Sequence, residues 1–254
     1  MMQRLLNIPA LLPAGTFLAI LMIWESSTRL FEIPSFILPA PSQIIGGFAK
    51  VSPGRWLEHV WATLSVALLG YGASIAIALP LAIGLTGSRL LKRSLYPILV
   101  VVQSTPVVAI APIIIVILGS GIAPKVAITF MISFFPLVVS MTTGMMATPD
   151  ELIDLSRSLR APKYREFTQI RIPYAIPYIF SGLKISITLA VIGAVVAEFV
   201  SSDKGLGYFI QFSTAFFKLP QAWAGLALLV TLSLTLFQAI NLIQRLLFPW
   251  STQK

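Results

Sequence analysis

The chain has 254 residues, of which 57% are hydrophobic and only 11% are charged, and its mean hydropathy is +0.89. A soluble domain carries about a quarter charged residues, so this composition excludes a water-soluble globule and indicates that lipid solvates most of the surface. The net charge of +9 does not indicate a nucleic-acid partner, because membrane proteins retain Lys and Arg in their cytoplasmic loops. With no Cys and a single His, the sequence predicts no metal site and no catalytic residues.

Apolar runs recur along the whole chain. A bilayer core of about 30 Å requires about 20 apolar residues per helix. We predict an all-α polytopic membrane protein, one transmembrane domain over residues 1–254, with about six transmembrane helices at 8–24, 60–86, 95–118, 125–146, 175–200 and 222–247. Between the first two spans, a Pro-rich stretch predicts an extended strap, followed from Pro41 by an interfacial helix.

The basic residues orient these spans. If the N-terminus is inside, eleven basic residues lie on inner segments: Arg4, Arg89, Lys92, Arg93, Arg157, Arg160, Lys163, Arg165, Arg171, Arg245 and Lys254. Six lie on outer segments: Arg29, Lys50, Arg55, Lys125, Lys204 and Lys218. This bias predicts that both termini are cytoplasmic.

Polar residues within the spans are candidates for a translocation pathway. We single out Gln103, Ser104, Thr105, Thr142, Ser186 and Glu198. A Ser or Thr in a membrane helix most often bonds its own preceding carbonyl, so a purely local role stays open for each hydroxyl. The Gln103 amide needs several partners, and an intramembrane acid such as Glu198 is a functional candidate by default. A structural or gating role for Glu198 also stays open, because Gly193 and Ala197 permit close helix packing beside it.

One long polar segment, residues 148–174, interrupts the apolar chain. Thr148 and Glu151 predict a capped helix start around Pro149. An apolar stripe then follows at Leu152, Leu155 and Leu159. A second short element is predicted at 163–170. Connections of this length are usually functional, which favours docking to a cytoplasmic partner over the alternative of a loop resting on anionic lipid.

Several motifs carry a family resemblance. They are Asp154-Leu155-Ser156, Arg160-Ala161, Ile170-x-Ile172-Pro173, Pro177 to Lys184, Ala194 to Phe199, and Ser202 to Tyr208. Together with Leu38-Pro39-x-Pro41-Ser42 and Gln103-Ser104-Thr105-Pro106, they resemble the "EAA" loop and flanking spans of bacterial ABC-importer permeases, in the nitrate/sulfonate/taurine-type branch. The likeness extends from about residue 34 onward.

The resemblance implies a type I ABC importer permease fold in the bacterial inner membrane. It implies two ATPase subunits, a second permease copy and an extracytoplasmic binding protein as partners, with ATP and Mg bound by the ATPases and no cofactor bound by this chain. The sequence indeed contains no G-x-x-x-x-G-K-[ST] phosphate loop. The implied ATPase-contacting residues are Asp154, Leu155, Ser156, Arg157, Leu159, Arg160, Ala161 and Arg165.

Arg160 stands where the family usually has Gly. Because Arg adopts a left-handed turn less easily than Gly, we expect the loop helix to continue through Arg160 to Pro162. For the solute, residues 196–203 resemble the branch members that handle pyrimidine or flavin-type vitamin precursors, which implies such a solute, with sulfonate, taurine or nitrate as the alternative. Two other classes stay open, an ion-coupled secondary transporter, which needs paired half-repeats, and a membrane anchor for a cytoplasmic complex.

Overall fold

The computed structural model describes residues 11–252, so Arg4, Lys254 and the start of the predicted span 8–24 lie outside the described residues. All regular elements within this range are helical, which confirms the all-α prediction. They are α1 (Leu11–Leu30), α2 (Pro41–Ala49), α3 (Pro53–Gly87), α4 (Arg89–Ser104), α5 (Val107–Leu118), α6 (Ile122–Met146), α7 (Asp150–Ser158), α8 (Lys163–Glu166), a π-helical turn (Phe167–Arg171), α9 (Ile172–Val200), α10 (Leu206–Ala215), α11 (Leu219–Leu247) and a 3-10 turn (Pro249–Thr252).

Four helical stretches in the described range are long and apolar enough to cross a membrane. They are α3, α6, the continuous stretch Lys163–Val200, and α11, and they correspond to four of the predicted spans. The helix α1 covers the described part of the first predicted span and extends past Trp24 to Leu30. The predicted interfacial helix after Pro41 is present as α2.

The span predicted at 95–118 contains a sharp bend. The helix is interrupted between α4 and α5, and the axes of these two helices differ in direction by 95°. The cause is Pro106, which has no N–H and disfavours the α region for the residue before it. Thr105 accordingly has an extended backbone, with φ −79° and ψ 126°.

The core is the antiparallel packing of α6 on α9, with α3 alongside both. Small residues permit this close approach. A Cβ added to Gly144 would overlap Tyr178, one added to Gly182 would overlap Ser140, and one added to Gly193 would lie 2.8 Å from the Thr129 Cα. Because lipid is as apolar as the side chains, close van der Waals contact between backbones is what stabilises such a bundle. The predicted role of Gly193 in close packing is confirmed.

The helix directions define two ends of the molecule. The helices α3 and α6 finish at the end that carries α7, which we call the loop end, and α9 returns to the opposite end, which we call the far end. Residue pairs fix this arrangement, since Gly87 lies against Phe167 at the loop end and His59 lies against Gly205 at the far end.

The second short loop element predicted at 163–170 is not separate from the following span. The helix continues from Lys163 to Val200 through the π-helical turn, in which the Ile172 N–H donates to the Phe167 carbonyl. Pro173 explains this geometry, because it has no N–H and its ring displaces the carbonyl of the preceding turn. One wider turn accommodates that displacement without ending the helix.

Two glycines on α3 provide a matched test of close packing. A Cβ on Gly70 would overlap the Thr129 side chain on α6, whereas a Cβ on Gly72 would meet nothing within 4 Å. We expect Gly70→Ala to destabilise the protein by about 1–3 kcal/mol, because overpacking forces the helices apart. Gly72→Ala should cause no loss, since Ala favours helix more than Gly does. Thermal unfolding of both variants in detergent, followed by size-exclusion fluorescence, tests this; equal melting temperatures would contradict the packing description.

Candidate functional site

The helix α7 presents two different faces. Ile153 and Ser156 are buried against the rest of the chain, whereas Leu152, Leu155 and Leu159 are 40%, 56% and 73% exposed. The apolar stripe predicted from the sequence is therefore the outward face. Exposed leucines at i, i+3 and i+7 on a polar helix form a surface that is suited to a partner's groove.

The predicted cap of α7 is wrong. The helix begins at Asp150 with Pro149 at the N-cap position, and no side chain caps it. The Thr148 hydroxyl instead donates to the Met145 carbonyl at the end of α6, 3.0 Å away. Asp150 and Glu151 still occupy the first turn, where carboxylates interact favourably with the helix dipole.

Arg160 does adopt the left-handed conformation, with φ +50°, so the expectation that the helix continues to Pro162 is wrong. The Arg160 N–H donates to the Arg157 carbonyl and the Ala161 N–H to the Ser156 carbonyl, at 2.9 and 3.0 Å. This is the hydrogen-bond pattern of a Schellman C-cap. These two bonds, followed by Pro162, offset the cost of about 1–2 kcal/mol of a left-handed non-glycine residue. The turn that Gly ordinarily makes is preserved with an exposed cation at its tip.

The eight residues predicted to contact an ATPase lie on α7, its C-terminal turn and α8. Seven of them are exposed or half-buried and Ser156 alone is buried, so Ser156 contributes through its carbonyl to the turn. Asp154 and Arg157 are 3.5 Å apart and largely exposed, an arrangement that stabilises a helix little. Arg165 donates to the hydroxyl of its neighbour Tyr164.

An ion pair that sequence reasoning missed joins the end of α8 to the π-helical turn. Arg171 Nε lies 2.7 Å from Glu166 Oε1, with only 15% and 13% of the two side chains exposed. Arg171 Nη1 also donates to the Met145 carbonyl at 3.1 Å, and the guanidinium lies 5.6 Å from the Phe167 ring centroid. The sequence did not indicate this ion pair, because residues five positions apart do not share a face of an α-helix.

At the far end, a buried polar cluster holds the start of α10. Three successive backbone N–H groups donate to side chains of other helices, namely Gly205 to His59 Nδ1 (3.2 Å), Leu206 to Thr63 Oγ1 (2.8 Å) and Gly207 to Glu198 Oε2 (2.7 Å). Thr63 also donates to Glu198 Oε1 at 2.7 Å. The first N–H groups of a helix have no partner within it, so α3 and α9 together supply the cap of α10. The Glu198 carboxylate also lies where the helix dipole favours negative charge.

The geometry of this cluster requires glycine at position 205. Gly205 has φ +117°, and an added Cβ would overlap the Glu198 carboxyl group.

Beside the cluster lies an open cavity of about 610 Å³, lined in part by Lys125, Ser202 and Tyr208. Lys204 closes the loop onto α3 through Glu58 at 2.6 Å, and this contact raises the pKa of the lysine.

The six predicted pathway residues do not meet in one place. Gln103, Ser104 and Thr105 are exposed at the bend between α4 and α5, and the two hydroxyls bond to the carbonyls of the preceding turn. Thr142 and Ser186 are buried in the helix core, and their hydroxyls find no partner among the described residues. Glu198 belongs to the far-end cluster. Their assignment to a pathway stays a prediction.

A polar contact inside the bundle also escaped the sequence reasoning. Lys184 on α9 donates to Asn241 Oδ1 on α11 at 2.9 Å. Two polar residues at membrane depth satisfy each other in this way. The sequence shows a single Lys, Lys184, within the predicted span 175–200, and this does not identify its partner.

Comparison with known proteins places the chain among transport proteins. The model of the family "Binding-protein-dependent transport system inner membrane component" matches residues 74–253. The formylaminopyrimidine transport permease protein ThiX of Halalkalibacterium halodurans is 34% identical, over 95% of this chain and 96% of the relative. The riboflavin transport system permease protein RibX of Chloroflexus aurantiacus is 36% identical over 95% and 91%. The taurine transport system permease protein TauC of Escherichia coli is 25% identical over 94% and 89%.

Solved structures agree on the fold. A chain of the MetNI methionine ABC transporter in an inward-facing conformation superposes with a TM-score of 0.66 at 21% identity, over 77% of this chain and 95% of that chain. A chain of an amino acid ABC transporter crystallised with histidines gives 0.64 at 16% identity, over 76% and 94%. The predicted type I importer permease fold is therefore confirmed.

The far-end cluster predicts which variants loosen α10. Thr63→Val keeps the shape of the side chain but removes both the acceptor for Leu206 and the donor to Glu198. Losing a helix cap costs about 1 kcal/mol, so we expect amides 205–208 to exchange with deuterium roughly five-fold faster in nanodiscs. Thr214→Val is the control, because the Thr214 hydroxyl bonds only within α10, to the Ile210 carbonyl. Unchanged exchange in Thr63→Val would show that the cap does not hold this helix.

Proposed function

The chain belongs to the family of binding-protein-dependent transport system inner membrane components and is a permease of an ABC importer, and from this we propose that it imports a small heterocyclic solute as one of two permease copies. The other proposed partners are two cytoplasmic ATPase subunits and an extracytoplasmic binding protein. In this proposal the loop end is cytoplasmic, as are both termini, and the far end receives the binding protein.

The exposed leucine face of α7 is the observation that carries the ATPase partnership. A helix that buries Ile153 and Ser156 on its own chain and leaves three leucines outward is stabilised further when a partner covers them. Exposed Asp154, Arg157 and Arg165 surround that face with charges. A polar rim around apolar anchors is the usual composition of a protein interface.

The energy for transport belongs to the partners. The sequence contains no phosphate-binding loop, so we assign ATP, Mg and their hydrolysis to the ATPase subunits. This chain then binds no cofactor and catalyses no reaction of its own. Its part is to convert movement of α7 into opening and closing of a path between the spans.

The bend between α4 and α5 supports a second permease copy. Irregular backbone at membrane depth is tolerated only where protein covers it or where it lines water. Gln103, Ser104 and Thr105 are exposed at this bend within the described chain. A second copy facing the bend would cover it and leave an aqueous path, which the three polar side chains would line. The hydroxyls of Thr142 and Ser186, which have no hydrogen-bond partner within residues 11–252, are further candidate contacts within the bundle.

The relatives favour a heterocyclic solute over a sulfonate. Those named for formylaminopyrimidine and riboflavin transport are 34% and 36% identical to this chain, whereas the taurine permease is 25% identical. The polar candidates for the pathway are mainly neutral, which suits an uncharged ring system with hydrogen-bonding edges. Sulfonate, taurine or nitrate is the second candidate for the solute. The alternatives to an ATP-driven permease are an ion-coupled secondary transporter and a membrane anchor for a cytoplasmic complex.

Reconstitution tests the transport proposal. We expect proteoliposomes containing the chain, its ATPase subunits and its binding protein to take up riboflavin or formylaminopyrimidine only when ATP is present, and to take up taurine poorly. Uptake without ATP, driven by an ion gradient, would indicate a secondary transporter. A lack of any uptake, with the complex intact, would favour the membrane anchor.

A docking experiment tests the role of α7. We expect the double variant Leu155→Ala, Leu159→Ala to bind the ATPase at least about ten-fold more weakly, because burying each leucine contributes about 1.5–3 kcal/mol. Leu90→Ala is the matched control, since Leu90 is 77% exposed near the loop end but lies on α4. Equal ATPase pull-down from all three proteins would remove α7 from the interface.

A further inference from the structure

The loop end contains a junction at which α3 and α6 meet the π-helical turn that leads into α9. Arg171 lies in the π-helical turn before α9, and its guanidinium contacts Glu166 on α8 and the Met145 carbonyl of α6. The adjoining Phe167 ring lies against Gly87, the last residue of α3. Elements that are far apart in the sequence therefore converge within one turn of helix.

The π-helical turn creates this junction. In an α-helix, Glu166 and Arg171 would point about 140° apart around the axis. A turn closed by an i→i+5 hydrogen bond brings residues five apart onto nearly the same face. The two side chains can consequently form an ion pair while the guanidinium keeps an N–H for the Met145 carbonyl.

The second contact of Arg171 is a hydrogen bond to the C-terminal end of α6. The last carbonyls of an α-helix have no partner within it and carry partial negative charge, so a cation at the end of α6 is favourably placed. Thr148 donates to the same Met145 carbonyl. The connection from α6 to α7 is thus held by two side chains, Thr148 within the connection and Arg171 in the π-helical turn.

We infer that Arg171 is a positioning residue for energy coupling: it links α8, which follows α7, to the end of α6, which precedes α7, and so makes α7 move with the ends of α6 and α9. This inference rests on the proposed function, in which an ATPase moves α7. Without Arg171, the link between Met145 and Glu166, which flank the segment carrying α7, is lost, and α7 is held by its two short connections and by its own buried Ile153 and Ser156. ATPase movement would then displace α7 with less displacement of the spans.

Four variants test the inference in proteoliposomes that hold the ATPase subunits and binding protein. Arg171→Gln removes both contacts, Glu166→Gln weakens only the ion pair, and Arg171→Lys keeps the cation with fewer hydrogen bonds. Arg93→Gln removes an exposed cation from the same end of the molecule and is the control. The measurements are ATPase pull-down, ATP hydrolysis and solute uptake.

We expect the Arg171→Gln permease to bind its ATPase, and the ATPase to hydrolyse ATP, as with the native chain. We expect it to transport roughly two- to thirty-fold less solute per ATP, the range by which altered linkage changes coupling. Arg171→Lys and Glu166→Gln should lie between it and the native chain, and Arg93→Gln should match the native chain. The intermediate variants keep the test valid if Arg171→Gln fails to fold.

Two results would overturn the inference. One is native transport per ATP in Arg171→Gln and Glu166→Gln. The other is a loss of pull-down in proportion to the loss of transport, which would make Arg171 a docking residue instead. Both differ from failure of the proposed function, in which the native chain itself shows no ATP-dependent uptake.

Discussion

The close contact between α6 and α9 is the constraint on which the rest of the structure depends. In a bilayer, lipid and leucine are equally apolar, so helices associate through shape rather than through expulsion of water. Gly144, Gly182 and Gly193 lie along one antiparallel seam, each where a larger side chain would collide with the facing helix. With this seam formed, α3 packs alongside through Gly70, and its Ser74 hydroxyl meets Ser133 at 2.8 Å. The ends of the three helices are thereby fixed relative to each other.

Each end of this three-helix unit organises a different polar arrangement. At the far end, side chains of α3 and α9 accept the first N–H groups of α10. At the loop end, one guanidinium contacts α8 and the C-terminus of α6. Both arrangements involve backbone groups at helix ends that have no hydrogen-bond partner within their own helix. In both, side chains from outside the helix satisfy those groups. The transport function proposed for the chain therefore rests on ordinary helix termini at the two ends of the molecule.

Sequence patterns predicted the spans and the loop because composition and periodicity are local properties. Four spans and the apolar stripe of α7 followed from them directly. The bend at Pro106 could be anticipated as a proline effect, but its angle depends on neighbouring packing. The cap of α7 was misplaced because Thr148 had an alternative acceptor in Met145. The left-handed Arg160 could not be foreseen from propensity, since two backbone hydrogen bonds and Pro162 decide it. The ion pair of Arg171 requires a π-helical turn, which no periodicity of 3.6 residues indicates.

The cap of α10 has a consequence for how the chain is made. A ten-residue helix is marginal by itself, because nucleation is costly. Its caps, His59 and Thr63, are synthesised more than 140 positions before the groups they receive, as the separations of 146 and 143 residues show. During translation, α3 therefore enters the membrane with two buried polar side chains lacking their final partners. Because the cap uses residues of α3 and α9 together, the far-end cluster is complete only when α3, α9 and α10 are all in place.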